Sequence, residues 1–386
     1  MPAAIKYLRR AISALLLTAA LAACERRSLE YYYRPTCRVI LNVDWSNFPE
    51  IPTGMSAYFF RDGDNYPIVA TTSEIYSTEV DLPVGHFRCF VMNQTPEEFW
   101  TYSFMNMNDF STAEAALTMT KSGWYKSKVS RAGIDPAAVA VAPEDLGIAL
   151  IDEFEITEEM VDDYQALYAD WKTKTKAAQT KGSASDDSTR DAAAKAKVAL
   201  DGATYHIYGI AYNVVCELNV KVHIQNIYNL YSARASMDGL ADGFLISADR
   251  ASDNETVQLM DSDVWSKHID DIDPTKGYVE GRVRTLGLPG SISGNLALRD
   301  PNANIFNFSC QLVDRTTTRD FEFKVGNKFN IEMGVHGINL VLDLELGTWE
   351  DPDVVLPDVP PAGSDGGGFD VNVDEWEQGE TVEIPM

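Results

Sequence analysis

Cys24 is the residue whose type and position point most directly to chemistry. It follows Leu21-Ala22-Ala23, so a leucine stands three residues before the thiol and two small residues precede it. This spacing resembles the lipobox that lipoprotein signal peptidase reads before it cleaves on the amino side of the cysteine. The sequence therefore predicts cleavage before Cys24 and acylation of Cys24. The alternative is an ordinary signal peptide followed by an incidental cysteine.

The residues before Cys24 have the composition of a secretory signal. Three positive charges and no acid occur among the first ten residues, and an apolar stretch runs from Ala11 to Ala23. That stretch is shorter than the roughly 20 residues that a helix needs to span a bilayer core. We therefore expect residues 1–23 to be removed. Acyl chains on Cys24 would then hold the chain to membrane lipid, since each buried CH₂ contributes about 0.8 kcal/mol.

The other reactive residue types form no recognisable catalytic pattern. Gly290–Gly294 contains two serines at the wrong offsets for a GxSxG elbow, and the sequence has no HExxH, P-loop or strand-linked GxGxxG motif. No histidine has a second His or Cys at close metal-ligand spacing. The sequence predicts no catalytic residue, metal site or cofactor. The scattered histidines are His86, His206, His223, His268 and His336.

Acidic residues outnumber basic ones by a wide margin. The chain has 58 Asp and Glu against 32 Lys and Arg, a formal net charge of −26, which becomes −29 when the three cations of residues 1–23 are removed. A surface of this sign repels phosphate backbones, so nucleic acid is excluded as a partner. With so many acidic residues, a glycosidase-type pair of catalytic carboxylates is not excluded, although the sequence singles out no two acidic residues for that role. Asp270–Gly277 is a candidate calcium loop that lacks the Gly and Glu positions of an EF-hand.

Four further cysteines follow Cys24, and four cysteines allow three pairings. An oxidising envelope permits disulfides, and one bridge in each half, Cys37–Cys89 and Cys216–Cys310, is the simplest scheme. The alternative is that all four are small buried core residues, because each lies in a strand-like run. The sequence leaves both arrangements open.

Alternating apolar and polar residues predict β-strands in both halves of the chain. Every second residue is apolar from Cys37 to Val43, and the pattern returns from Ile338 to Leu346. Parallel βαβ units would need helices between the strands, and the sequence does not provide them. Short strands separated by Gly, Pro and Asp turns predict a mainly β chain with two antiparallel β-sandwich domains in tandem.

One segment between the two halves has helical spacing. Thr157 is a candidate N-cap for a helix that ends near Trp171, and the Lys, Ala, Ser and Asp residues that follow predict a mobile linker or a polar helix extension. The tail after Trp349 is acidic and rich in Pro and Gly, so we expect it to be partly disordered. The predicted order is a signal peptide (1–23), a lipidated tether (24–36), an N-terminal sandwich (37–155), a helix and low-complexity linker (156–203), a C-terminal sandwich (204–348) and an acidic tail (349–386).

Aromatic residues cluster between positions 99 and 125. Trp100, Tyr102, Trp124 and Tyr125 are candidate glycan contacts if they are exposed, because their large flat rings have both an apolar body and a polar edge. The alternative is a long loop that packs back on the first sandwich.

Several short stretches form a distinctive set within residues 24–346. They are CERRSLEYYY from Cys24, LNVDW from Leu41, PTGMS from Pro52, LPVGHF from Leu82, NQTPEEF from Asn93, ITEEMV from Ile156, the segment from Val220 to Gly243, and LGLP from Leu286. As a set they resemble a family of Bacteroidales lipoproteins related to FimB-like, fimbrillin-associated proteins.

The resemblance implies two transthyretin-like, fimbrillin-like sandwiches. It also implies an outer-membrane, surface-facing place among the anchor, tip or accessory subunits of type V pili. Fimbrillin-like subunits would then be partners through β-strand exchange, in which a sheet accepts an edge strand from its neighbour. The candidate donor strand in this chain contains Val382 and Ile384. No arginine stands where maturation cleavage of a polymerising fimbrillin would need it, which suits an anchor.

Three functions remain as hypotheses. The first is a non-enzymatic fimbrial anchor or accessory subunit that serves cell adhesion, and it predicts a sheet edge open to a partner strand. The second is a surface glycan-binding lipoprotein of a nutrient-uptake system, and it predicts exposed, coplanar aromatic rings. The third is an envelope hydrolase, and it predicts a cleft with paired carboxylates or a metal.

Overall fold

Strands dominate the computed structural model, which describes residues 34–120, 139–180, 187–290, 299–334 and 340–362. The predicted mainly β class is confirmed: the strands form two sandwiches, with a small sheet between them. No helix in the described part of the chain is both long enough and apolar enough to cross a membrane.

Seven of the first nine strands build the first sandwich. The nine are β1 (Thr36–Asn47), β2 (Met55–Arg61), β3 (Ile68–Thr72), β4 (Ser77–Pro83), β5 (Gly85–Met92), β6 (Tyr102–Met105), β7 (Glu114–Leu117), β8 (Gly147–Ile156) and β9 (Tyr205–Asn213). The order in the sheet is β3-β2-β5-β8-β9-β1-β4. β8 and β9 pair only at Gly147–Asn213 and Ile148–Tyr212, and beyond this corner the sheet folds over into two layers.

The inward residues of both layers meet in one core. In β1 the predicted alternation holds, because Cys37, Val39, Leu41 and Val43 are buried while their neighbours are not. Gly209 of β9 shows how closely the layers approach: a Cβ atom there would lie 3.2 Å from the Cβ of Ala149 in β8.

Two helices connect β8 to β9 and pack against that core. They are α1 (Glu158–Thr180) and α2 (Asp187–Asp201). The Thr157 hydroxyl accepts a hydrogen bond from the N–H of Met160 at 3.2 Å, as the predicted cap requires. Tyr164 of α1 and Leu200 of α2 are buried in the first core. Of the two predicted alternatives, a mobile linker and a polar helix extension, the structure has helix over 187–201. A run rich in Ala has high helix propensity whatever its complexity.

β9 belongs to the first sandwich, whereas the sequence placed residues 204–348 in the second. It pairs in parallel with β1, from Val39–Tyr205 to Asn47–Tyr212. The alternation of β9 predicts a strand but does not identify its partner, which lies more than 150 residues earlier in the chain.

The second sandwich is formed by two further sheets. Its strands, and those of the small sheet, are β10 (Cys216–Gln225), β11 (Leu230–Ala241), β12 (Gly243–Leu245), β13 (Arg250–Ala251), β14 (Glu255–Met260), β15 (Trp265–Ile269), β16 (Lys276–Thr285), β17 (Ile305–Leu312), β18 (Thr318–Lys324), β19 (Asn330–Met333), β20 (Leu340–Leu346) and β21 (Val354–Val355). One sheet has the order β15-β16-β10-β20-β19, with β21 also on β10, and the other has the order β14-β11-β17-β18. Their apolar faces enclose a second core.

The small sheet joins the two halves of the chain. Its order is β13-β12-β7-β6, so two strands from the first half pair with two from the second. A third core lies around it and contains Phe90 and Ile148 from the first half together with Phe244 and Leu286 from the second. The two sandwiches therefore share buried apolar surface.

The beginning of the predicted acidic tail is ordered on the second sandwich. β21 pairs in parallel with the end of β10, and the Leu356 N–H donates to the carbonyl of Gln225 at 3.0 Å. Val354 and Leu356 are buried in the second core. Two apolar residues within an acidic, proline-rich segment thus dock the beginning of the tail, and the predicted partial disorder of the tail stays a prediction. We call residues 347–362 the C-terminal strap.

Candidate interaction surface

Several residues singled out in the sequence lie outside the described part of the chain. They are Cys24, Trp124, Tyr125, Val382 and Ile384. Acylation of Cys24, strand donation by the C-terminus and glycan contact by Trp124 and Tyr125 therefore stay predictions.

Trp100 and Tyr102, the two described members of the aromatic set, do not form a platform. Trp100 is 87% exposed, whereas Tyr102 is buried in the core between the sandwiches. Oε1 of Glu144 accepts hydrogen bonds from the backbone N–H groups of Trp100 and Thr101, at 2.6 and 2.9 Å, which fixes this corner. The glycan-contact prediction is wrong for Tyr102, because pairing of β6 with β7 turns its ring inward. Burial raises the pKa of its hydroxyl.

The four cysteines of the sandwiches are free and buried. The disulfide scheme Cys37–Cys89 and Cys216–Cys310 is therefore not the arrangement in the structure, which has the core alternative. Cys37 and Cys89 lie on β1 and β5, separated in the sheet order by β8 and β9, and Cys216 and Cys310 lie in different sheets. Burial raises the pKa of the Cys37, Cys89 and Cys310 thiols and raises that of Cys216 to about 12.

The candidate calcium loop is a self-contained turn. The carboxylate of Asp270 accepts hydrogen bonds from the N–H groups of Ile272 and Asp273, at 2.7 and 2.9 Å. These two bonds hold the pKa of Asp270 below its usual range. Within the described ranges, no three His, Cys, Asp or Glu side chains are grouped so that they could hold a metal ion.

The outer strands of the sandwiches differ in how they are protected. An outer strand exposes unpaired N–H and C=O groups, and proteins normally place charged side chains there to discourage pairing with another chain. Apart from the two-residue β21, six strands lie at the ends of the sheets in the described sandwiches, and of these six only β3 has no charged residue. The charged residues on the others are Glu79 and Asp81 in β4, Glu255 in β14, Lys267 in β15, Arg319, Asp320, Glu322 and Lys324 in β18, and Glu332 in β19.

The core-facing residues of β3 are also incompletely covered. Among the described residues it pairs with β2 on one side only, from Ile68–Phe59 to Thr72–Met55. Ile68 and Ala70 pack against the first core but are only partly buried. Val69, on the opposite face, is 49% exposed. A further strand laid along β3 would satisfy its free backbone groups and complete this end of the core.

The turn that leads into β3 lies beside the N-terminal segment of the chain. A guanidinium nitrogen of Arg34 lies 3.2 Å from Oδ1 of Asp64, and one from Arg61 lies 3.4 Å from Oδ2. Desolvation acts to raise the pKa of Asp64, but the hydrogen bonds from Arg34 and Arg61 outweigh it and lower the pKa. The open edge is thus next to the point at which the predicted tether reaches the sandwich.

The amino-acid sequence by itself does not identify β3 as an interaction site. The sequence feature that could have pointed to β3 is the uncharged run Ile68–Thr72, in a chain of net charge −26. Four of its five residues are β-branched and therefore favour a strand. Whether such a run is a central or an outer strand depends on distant pairing, which the run itself does not encode.

Strand order, the folded-over sheet and the joined cores define a protein of two tandem β-sandwiches. The family model described as "Domain of unknown function (DUF5119)" matches residues 23–261, and the chain belongs to this family. A comparison with curated proteins gives no match.

Two solved structures are similar to this chain. A "putative adhesin" from Bacteroides ovatus ATCC 8483 is 15% identical, with a TM-score of 0.50 over 87% of this chain and 98% of that one. The fimbrial anchor protein Mfa2 from Porphyromonas gingivalis is 9% identical, with a TM-score of 0.43 over 81% of this chain and 90% of that one. The likeness to the Bacteroides ovatus protein confirms the predicted two-sandwich fold.

Proposed function

We propose that this protein is a non-enzymatic anchor or accessory subunit of fimbriae, held in the outer membrane by acyl chains on Cys24 and facing the cell surface. The observation that carries the proposal is the two-sandwich architecture, which spans almost the whole of the Bacteroides ovatus protein described as an adhesin. The lipobox-like Leu21–Cys24 supports the anchor, because a thioether-linked lipid needs no membrane-spanning helix.

The β3 edge is the surface through which such a subunit would hold its partner. Pairing by strand addition takes its affinity from backbone hydrogen bonds and its specificity from alternate side chains. The partner segment that fits β3 is extended, apolar at every second position and free of acidic residues, because the net charge of −26 disfavours an acidic strand. The C-terminal segment with Val382 and Ile384 would be the corresponding donor toward a further subunit.

Co-purification from native membranes tests this function. The protein would be tagged between α1 and α2 and extracted from outer membranes with mild detergent, and co-eluting proteins would be identified by mass spectrometry. Fimbrillin-like subunits are the expected result. Co-elution of a TonB-dependent transporter and its glycan-binding partner, without fimbrillins, would overturn the proposal and favour the nutrient-uptake hypothesis.

Two variants make that experiment specific. Val69→Lys with Thr71→Lys charges the β3 edge and is expected to abolish co-elution, whereas Val198→Lys on the exposed face of α2 is a matched control that leaves it intact. Cys24→Ser is expected to release the protein from the membrane fraction. A Cys24→Ser protein that stays membrane-bound would rule out the lipid anchor.

A further inference from the structure

In each sandwich the first strand pairs in parallel with the last. Seven residues of β1 between Val39 and Asn47 pair with β9. In the second sandwich, β10 pairs in parallel with β20 from Glu217–Val341 to Val222–Leu346, and then with β21. Every other strand pair in the two sandwiches, within the described residues, is antiparallel.

Parallel pairing of first and last strands determines how the sandwich responds to tension on its ends. A pull on the start of one strand and on the end of its parallel neighbour slides the two past each other along their common axis. Because this force acts along the strand axis, it loads the evenly spaced hydrogen bonds of the parallel ladder at the same time. An antiparallel hairpin pulled at its open end instead loses its bonds one after another.

The two parallel pairs lie in series along the chain. Only Val214 and Val215 separate the end of β9 from the start of β10, and both are buried. Oδ1 of Asn213 accepts hydrogen bonds from the N–H groups of Leu146 and Val215, both at 3.2 Å, which fixes this junction. Tension that enters β1 therefore passes through β9 directly into β10 and leaves through β20 and the C-terminal strap.

The neighbours of β1 strengthen the first pair. β1 is an internal strand, with β9 on one side and β4 on the other, and its pairing with β4 extends from Thr36–Pro83 to Asn42–Ser77. Extraction of β1 along its axis must shear both ladders and also withdraw Val39 and Leu41 from the first core.

We propose that the fold is built to bear tension along the chain: the parallel pairs β1–β9 and β10–β20 are two mechanical clamps in series between the N-terminal tether and the C-terminal strap. The clamps are a property of the sandwiches themselves. Their use, to hold a fimbria on a membrane under load, rests on the proposed function.

Single-molecule pulling compares two directions of force on the same mature chain. In one, handles are attached at residue 24 and at the C-terminus, and in the other at Ile305→Cys and Lys324→Cys, which face each other at the open end of the antiparallel pair β17–β18. We expect the unfolding force to be several-fold higher in the end-to-end direction, at equal loading rate. Equal forces, or a lower end-to-end force, would overturn the proposal.

A metal staple tests the first clamp without weakening the fold. Ile40 of β1 and His206 of β9 are register partners, so Ile40→His places two imidazoles side by side across the parallel pair. The matched control is Asn307→His with Glu322→His, across the antiparallel pair β17–β18.

Ni²⁺ is expected to raise the end-to-end force of the event that releases the first sandwich, identified by its contour length, in the Ile40→His protein only. No rise in that protein, or the same rise in the control and the wild type, would show that β1–β9 does not carry the load. Because no partner is present, this result does not depend on whether fimbrillins co-purify with the protein.

Discussion

Nε2 of His223 lies 2.8 Å from Oε1 of Glu345, across the parallel pair β10–β20. His223 is almost fully buried, and Trp349 of the C-terminal strap contacts it edge to face at 5.4 Å between ring centroids. The ammonium of Lys221 lies 3.3 Å from the same carboxylate oxygen. The carboxylate of Glu345 in β20 thus contacts two side chains of β10 and joins the two strands of the second clamp, next to the C-terminal strap.

The first prediction concerns the pH dependence of this tie. The hydrogen bond from His223, followed by that from Lys221, outweighs desolvation and lowers the pKa of Glu345. A carboxylate whose pKa is lower in the folded state stabilises the fold above its unfolded pKa of about 4.3, and this stabilisation is lost as the pH falls through the folded value. Glu345→Gln should therefore lower stability at pH 7 and have little effect at about pH 3.

Urea unfolding at the two pH values checks this expectation. Glu345 is more than half exposed, so the loss at neutral pH should fall within about 0–1 kcal/mol. Glu153→Gln, at an exposed position of β8, serves as the control and should change neither midpoint. An equal loss at both pH values would assign the effect of Glu345→Gln to packing instead of charge.

The second prediction concerns the helical hairpin. Leu200 of α2 is 3% exposed and packs in the first core, whereas Val198, two residues earlier, is 71% exposed. Leu200→Ala should lower the free energy of unfolding by about 2–5 kcal/mol, because it leaves a cavity in the core. Val198→Ala should change it by less than about 0.5 kcal/mol. Equal effects of the two substitutions in thermal or urea unfolding would mean that α2 is not docked.

Individual strands could be predicted from the sequence because their signal is local. The alternation from Cys37 to Val43 is set by which side chains face the core, and it appears unchanged in β1. The same rule identifies β20 through Leu342, Leu344 and Leu346. Two sandwiches follow from many such strands with turns between them.

Pairing and docking could not be predicted, because they depend on residues far apart in the chain. β9 has the apolar residues Tyr208 and Ile210 on its exposed face, so its pattern does not show which sheet it joins. The sequence of α2 has low complexity, yet one leucine and a few alanines are enough to pack one side of the helix against the first core. The open edge at β3 is likewise a property of the sheet order, which no short stretch encodes.

The third prediction concerns the cysteines of the sandwiches. Burial raises the pKa of all four thiols, which disfavours the reactive thiolate, and it also shields the side chains from reagents. Cys37, Cys89, Cys216 and Cys310 should resist a thiol-specific reagent in the folded Cys24→Ser protein, and all four should react in urea without a reductant. Fewer than four reactive thiols in urea, together with a mobility shift on reduction, would show that disulfides form in the envelope.

The last prediction concerns the core that the two sandwiches share. Phe244 of β12 is buried in this core. It is the register partner of Ala115 in the antiparallel pair β12–β7, which joins the two halves of the chain. Phe244→Ala should lower the free energy of unfolding by about 3–5 kcal/mol and loosen both halves, because the buried cluster to which Phe244 belongs contains residues from both halves of the chain. Phe329→Ala is a matched control, since Phe329 is buried in the second core alone.

Amide hydrogen exchange distinguishes the two variants strand by strand. Phe244→Ala should accelerate exchange in β5 of the first sandwich and in β17 of the second, whereas Phe329→Ala should accelerate it in β17 and leave β5 protected. If Phe244→Ala affected only β17, the sandwiches would be energetically independent and joined mechanically through the chain at Val214 and Val215 alone. If both strands respond, the core around Phe244 couples the stability of the first sandwich to that of the second.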